Sequence, residues 1–189
     1  FDAQEWKKLA DRCHEVGVRC YLMMPRIFRK EAEQYFRKQM ELLTSAGFDA
    51  LGIGSMEEPG FLREAGIELP MYFDQGMYSW NHLAGAAMER YGADRLTIPV
   101  ELNEREIRDS GVQGEMIVYG YLPMMISAQC IRKTTLGCSG KPEIMWLKDR
   151  KDMRFPVVNQ CRFCYNTIYN SAPLSLLGLS EQVTGLKPN

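Results

Sequence analysis

This sequence predicts an α/β fold: a partial (β/α) TIM-type barrel of about five βα units over 1–120, then a cysteine-rich C-terminal appendage over 121–189 that carries a hairpin and packs on the barrel. Three observations predict it. Short apolar runs alternate with amphipathic stretches up to Gly120. Several of these stretches close on a glycine, at Gly17, Gly47 and Gly66, the residue that most easily takes the left-handed turn after a helix. Beyond Gly120 the alternation stops, and four of the six cysteines fall between Cys130 and Cys164.

The elements follow in order. Over 2–16, apolar residues at Trp6, Leu9, Ala10, Cys13 and Val16 repeat with a helical period. "VRCYLMMP" (18–25) is a short apolar run closed by proline, the pattern of a buried strand. "RKEAEQYFRKQMELLTSAG" (29–47) is one long helix, and "FDALGIGS" (48–55) a strand with glycines at its end. "MEEPGFLREAG" (56–66) is a short helix. "ELPMYFDQ" (68–75) is a strand whose Pro70 sits among its first residues, where proline is tolerated. "YSWNHLAGAAMERYG" (78–92) is a helix with Ser79 as its cap. "DRLTIPVE" (94–101) is a strand, "NEREIRDSG" (103–111) a helix capped by Asn103, and "GEMIVYG" (114–120) the fifth strand. In the appendage, "EIMWLKDRKDMRFPVV" (143–158) reads as a hairpin around a polar turn, and "SAPLSLLGL" (171–179) opens a final helix.

A complete eight-stranded barrel needs about 250 residues. The alternation here spans roughly half that, which fits the last units of a barrel or an open doubly wound sheet. The first residue is Phe1, not Met, and the opening lacks a signal peptide's basic-then-apolar pattern. The expectation is a piece of a longer chain, whose N-terminal remainder or a homodimer partner covers the exposed strand edges. Net charge is −1, so no overall basic excess marks a nucleic-acid binder. No apolar run approaches the ~18 to 20 residues of a membrane span. A reducing, cytoplasmic setting is expected. Cys13 and Cys20 then read as small apolar residues of a helix and a strand.

Active sites of parallel barrels lie at the carboxyl ends of strands. Here those ends carry Arg26, Asp74, Glu101 and Tyr119. Asp74 and Glu101 suit acid–base work, although both also precede helices, where a negative charge favours the helix dipole. Arg26 suits an anionic substrate group. His82, at a helix start, is a candidate general base. Cys130, Cys138, Cys161 and Cys164 are separated by seven, twenty-two and two residues. The last pair can turn two thiolates onto one metal. The spacing alone leaves an iron–sulfur cluster, a structural zinc, and disulfides or unligated thiols open. Neither a Gly-x-Ser-x-Gly elbow nor a His-Glu-x-x-His run occurs.

From Arg95 onward, "RLTIPVELNEREI", "GEMIVYGYLPMMISAQC" and the later cysteines resemble the U-thirty-two peptidase family, also called collagenase-like peptidases. The matching positions are Glu101, Leu102, Tyr119, Gly120, Gln129 and Cys130, with Asn81 matching an earlier family asparagine. Where many members carry another cysteine three residues after the glycine, this chain has Pro123. The resemblance implies a four-iron, four-sulfur cluster on Cys130, Cys138, Cys161 and Cys164, with zinc as the alternative. It implies Glu101 as a site residue and substrate contacts at Asn81 and Tyr119. It also implies hydroxylation of an RNA base or a small aromatic quinone precursor, or, if the family label is literal, hydrolysis of a peptide.

Overall fold

The computed structural model describes residues 2–186 and comprises two compact units. One extends up to Met116 and takes in Gly185 and Leu186; the other is Ile117–Thr184.

The first unit alternates as the sequence predicts. It contains α1 (Trp6–Glu15), β1 (Tyr21–Met23), α2 (Lys30–Lys38), α3 (Met40–Ser45), β2 (Ala50–Ile53), α4 (Glu57–Glu64), β3 (Met71–Phe73), α5 (His82–Arg90), β4 (Ala93–Leu96) and α6 (Glu104–Ser110). Strands β1 to β4 form one parallel sheet in sequence order. Parallel neighbours need a crossover, and each crossover here carries a helix. Every residue of β2 is buried. Trp6 of α1 stacks on Phe36 of α2 with ring centroids 6.0 Å apart, and Leu43 of α3 is fully buried.

Three local expectations need correction. The single helix expected over 29–47 breaks at Gln39, whose N–H donates back to the Phe36 carbonyl in a tighter turn. The cap of α5 is Asn81, not Ser79: its side-chain oxygen accepts from the N–H groups of Leu83 and Ala84, both at 3.0 Å. Ser79 is buried before the helix begins. The fifth strand is reduced to one parallel bridge, Thr97 to Glu115. The Glu115 N–H donates to the Leu96 carbonyl and the Ile98 N–H to the Glu115 carbonyl, both at 2.8 Å. Asn103 caps α6 as expected, in a reciprocal capping box with Glu106.

The second unit is antiparallel. It contains β5 (Tyr119–Gly120), β6 (Pro123–Ser127), α7 (Ile131–Leu136), β7 (Ile144–Lys148), β8 (Arg154–Gln160), β9 (Tyr165–Tyr169), β10 (Leu174–Ser175) and, running into Gly185, α8 (Ser180–Gly185). The main sheet has the order β6-β9-β8-β7, and β5 pairs with β10. Tyr119 and Gly120, expected to end a barrel strand, therefore belong to this antiparallel pair. The final helix expected from 171 forms later, because Leu174 and Ser175 are used by the β5 pairing.

Over 143–158, β7 and β8 pair antiparallel from Ile144↔Val158 to Lys148↔Arg154. Asp149 closes their tip, its carboxylate accepting from the N–H groups of Lys151 at 2.8 Å and Met153 at 2.9 Å. Pro156 lies inside β8 opposite Trp146, yet the ladder to β9 starts only at Val157↔Ile168. Proline removes a donor, and here it stands just where that ladder has not begun.

Gly114 makes the Thr97–Glu115 bridge possible. A Cβ there would lie 2.5 Å from the Leu96 carbonyl oxygen. Gly114→Ala should destabilise the protein by about 1–3 kcal/mol through overpacking. It should also speed hydrogen exchange at the Ile98 and Glu115 amides; unchanged exchange there would show that the bridge is not a structural contact.

Candidate functional site

In the second unit the four clustered cysteines meet. Cys130, Cys138, Cys161 and Cys164, with Lys133, Gly140, Asn159, Gln160 and Tyr165, line one small cavity of about 40 Å³. Separate pieces of local structure place them. Cys130 is the N-cap of α7, its sulfur accepting from the Lys133 N–H at 3.5 Å. The segment before it is pinned by the fully buried Asn166 of β9, whose amide donates to the Gln129 carbonyl at 2.8 Å. Cys138 rides on a loop fastened by Arg132. The Arg132 guanidinium meets Glu143 at 2.7 Å and donates to the Gly137 carbonyl at 2.9 Å, while the Ser139 hydroxyl donates to Glu143 at 2.9 Å. Ser139, then Arg132, hold the Glu143 carboxyl below its ordinary range.

Cys161 and Cys164 are the two ends of the tight turn joining β8 to β9, between the paired residues Gln160 and Tyr165. Cys164 adopts φ 54°, a left-handed conformation that costs a side-chain-bearing residue on the order of 1 kcal/mol. Burial, then the neighbouring thiols of Cys130 and Cys138, push the Cys161 thiol up. The Cys161 thiol donates to the Lys141 carbonyl at 3.0 Å. As the side chains stand, no three or more His, Cys, Asp or Glu among the described residues are arranged to hold an ion. The donor set nonetheless suits one: four thiols face a common cavity, and Asn159, 2% exposed, lines it with both polar atoms of its amide unpartnered.

In the first unit, Arg26 and Asp74 are brought together. They follow β1 and β3 and form an ion pair at 2.8 Å. Asp74 also accepts from the Gly76 N–H at 2.7 Å. Burial pushes its carboxyl up, against the pull of Arg26 and of that N–H. Arg26 lies between two glycines. A Cβ on Gly54 would fall 2.9 Å from its Cδ, and a Cβ on Gly76 would collide with its Nη1. Next to them is Glu58, which sequence reasoning missed. It is fully buried in the first turn of α4; its Oε2 accepts from the N–H groups of Gly54 at 2.8 Å and Ser55 at 3.3 Å, and its Oε1 has no partner. The Ser55 hydroxyl stands beside it without reaching hydrogen-bond geometry. Burial, with Asp74 adding to it, raises the Glu58 carboxyl to about 8. The Ser-x-x-Glu spacing of Ser55 and Glu58 was the available signal, since it is the spacing of a capping box.

The remaining candidates are dispersed. His82 is exposed in the first turn of α5, directly after its cap Asn81. Glu101 lies in an exposed turn beyond β4, which ends at Leu96 and not at 101. Tyr119 is exposed in the second unit. Cys13 and Cys20 are half-buried, and the Cys20 thiol is pushed up by burial and then by Cys13. His14 of α1 meets Asp49 at 2.9 Å.

Two measurements test this geometry. Glycine takes φ 54° freely, so in metal-free protein Cys164→Gly should be more stable than Cys164→Ser, which keeps the strain; equal denaturation midpoints for the two variants would contradict the strain. The Glu58 carboxyl rises from 4.5 to about 8 on folding, so its contribution is fully present below 4.5 and is lost as pH rises through about 8. The stability of Glu58→Gln relative to wild type should therefore climb by a few kcal/mol between those limits and level off above them. Urea unfolding across a pH series checks this, and a pH-independent difference would refute it.

Residues 1–184 match the family model described as Peptidase family U32. A solved structure titled "The Structure of the U32 Peptidase Mk0906" is similar at 16% identity and a TM-score of 0.49, covering 64% of this chain and 53% of that one. The chain thus spans about half the length of that protein. No curated protein matches. With nearly all of its length covered by the family model, the chain belongs to Peptidase family U32.

Proposed function

We propose that this chain is part of an iron–sulfur enzyme, in which Cys130, Cys138, Cys161 and Cys164 hold a four-iron, four-sulfur cluster. One observation carries the reading: four thiols from a helix cap, a stapled loop and a hairpin turn line one cavity, beside an asparagine amide that has no other partner. A bound cluster would supply one-electron chemistry. This chain's own residues would do the rest. Arg132, Glu143 and Ser139 fix the Cys138 loop, Asn166 fixes the approach to Cys130, and the Asn159 amide is available to hydrogen-bond a sulfur and tune its potential. The reaction class we infer is hydroxylation of an RNA base or a small aromatic quinone precursor. Asp74, Glu101 and His82 are the candidate acid–base groups, and Arg26, Asn81 and Tyr119 the candidate substrate contacts. The parallel sheet, in sequence order with a helix on each crossover, is read as a segment of a barrel completed by further units of a longer chain or by a second copy. Cytoplasmic residence is part of the same proposal. Among the described residues no helix is long and apolar enough to cross a membrane.

The two carboxyls at the strand ends favour a second reading, hydrolysis of a peptide, because a paired acid and base can activate water. Anaerobic purification separates the readings. Brown protein with about four irons per chain, falling in Cys164→Ser together with melting temperature, is expected. Colourless protein with one zinc would replace the cluster by a structural metal. Metal-free protein that cleaves gelatin would establish the peptidase.

A further inference from the structure

We propose that Arg26, Asp74 and Glu58 form one acid–base site at the carboxyl end of the parallel sheet, with Glu58 holding the proton and Asp74 ionised, and that this site takes an uncharged polar group rather than an anion.

The number of charges the site can carry is limited. Two carboxyls flank Gly54. Glu58 accepts from its N–H at 2.8 Å, and a Cβ on Gly54 would lie 3.6 Å from Asp74 Oδ2. One cation serves both, and it is engaged: Arg26 reaches Asp74 at 2.8 Å. A buried carboxylate with no cation of its own gives up its charge by taking a proton. Glu58 is that group, with no exposed surface and Oε1 unpartnered. Its upward titration agrees. Burial pushes the Asp74 carboxyl up as well, but Arg26 and the Gly76 N–H, which Glu58 lacks, make Asp74 the one of the two placed to keep its charge. The charged and titratable groups facing Glu58 are thus Asp74 and, through it, Arg26.

The site as a whole is neutral, which decides the ligand class. Arg26 and Asp74 remain partly exposed, with 22% and 15% of their side chains accessible. Together they present a donor edge next to an acceptor edge. An incoming phosphate or carboxylate would find Arg26 already neutralised and would face the Asp74 carboxylate. A hydroxyl or amide group can bond to both edges without that repulsion. The Ser55 hydroxyl and the Gln75 side-chain oxygen, both buried and unpartnered, add hydrogen-bonding capacity at the same strand ends.

This inference goes beyond the cluster reading and does not depend on it, so iron content is not its readout. Carbon-13 carboxyl titration by NMR on the full chain tests it. One carboxyl with a midpoint near 8 is expected in wild type, absent from Glu58→Gln and displaced downward in Asp74→Asn. A Glu58 midpoint in the ordinary carboxylate range would overturn the protonated Glu58, and one that Asp74→Asn leaves in place would overturn its coupling to Asp74. Inorganic phosphate should leave the Arg26 side-chain nitrogen signal unmoved. A saturable shift of that signal in wild type would overturn the uncharged ligand class. Should Asp74→Asn fail to fold, the wild-type midpoint and the phosphate titration still decide.

Discussion

The ion pair between Arg26 and Asp74 ties the end of β1 to the end of β3 across β2. Much of the first unit is arranged around it. Glycines stand directly after β2, at Gly54, and in the loop after β3, at Gly76, where a side chain would strike the arginine. With those positions fixed as glycine, the turn after β2 needs support from elsewhere. Glu58 supplies it from the first turn of α4, accepting two of that turn's N–H groups. The same ion pair engages Arg26 with Asp74, and burial, with Asp74 adding to it, pushes the neighbouring Glu58 carboxyl up.

How far the sequence could be read depended on the length of the signal. The four parallel strands and their helices were legible, since apolar runs followed by amphipathic stretches recur over about 110 residues. The fifth strand was not. "GEMIVYG" has strand composition throughout, but its first half makes one bridge to Thr97 and its last two residues pair with Leu174 and Ser175, far along the chain. Propensity is silent on which partner a short apolar run finds. The break at Gln39 was equally hidden, because Phe36 and Leu43 keep a helical spacing across it. Glu58 escaped notice for a chemical reason: glutamate in a helix's first turn ordinarily faces water, and nothing local announces complete burial.

The cysteine region shows the opposite balance. The identity of its four thiols was plain from composition, whereas the devices that bring them to one cavity were not. A tight turn between β8 and β9, a helix cap at Cys130 and an arginine-stapled loop at Cys138 each solve a local backbone problem. Their convergence depends on the strand order β6-β9-β8-β7, in which the segment leading to α7 leaves from the edge strand beside the turn-bearing hairpin. Asn159, Asn166 and Thr167, all on the central strands, are buried polar residues of this sheet.

Pro156 has a consequence for how the chain can vary. Because β8 joins β9 only from Val157 onward, the part of the β7–β8 hairpin beyond Pro156 is a two-stranded finger, closed by Asp149 and held by no third strand. The cysteine turn lies at the other end of β8, at Cys161 to Cys164. A change of length at the finger's tip is separated by the whole of β8 from the turn that sets the spacing of the last two thiols.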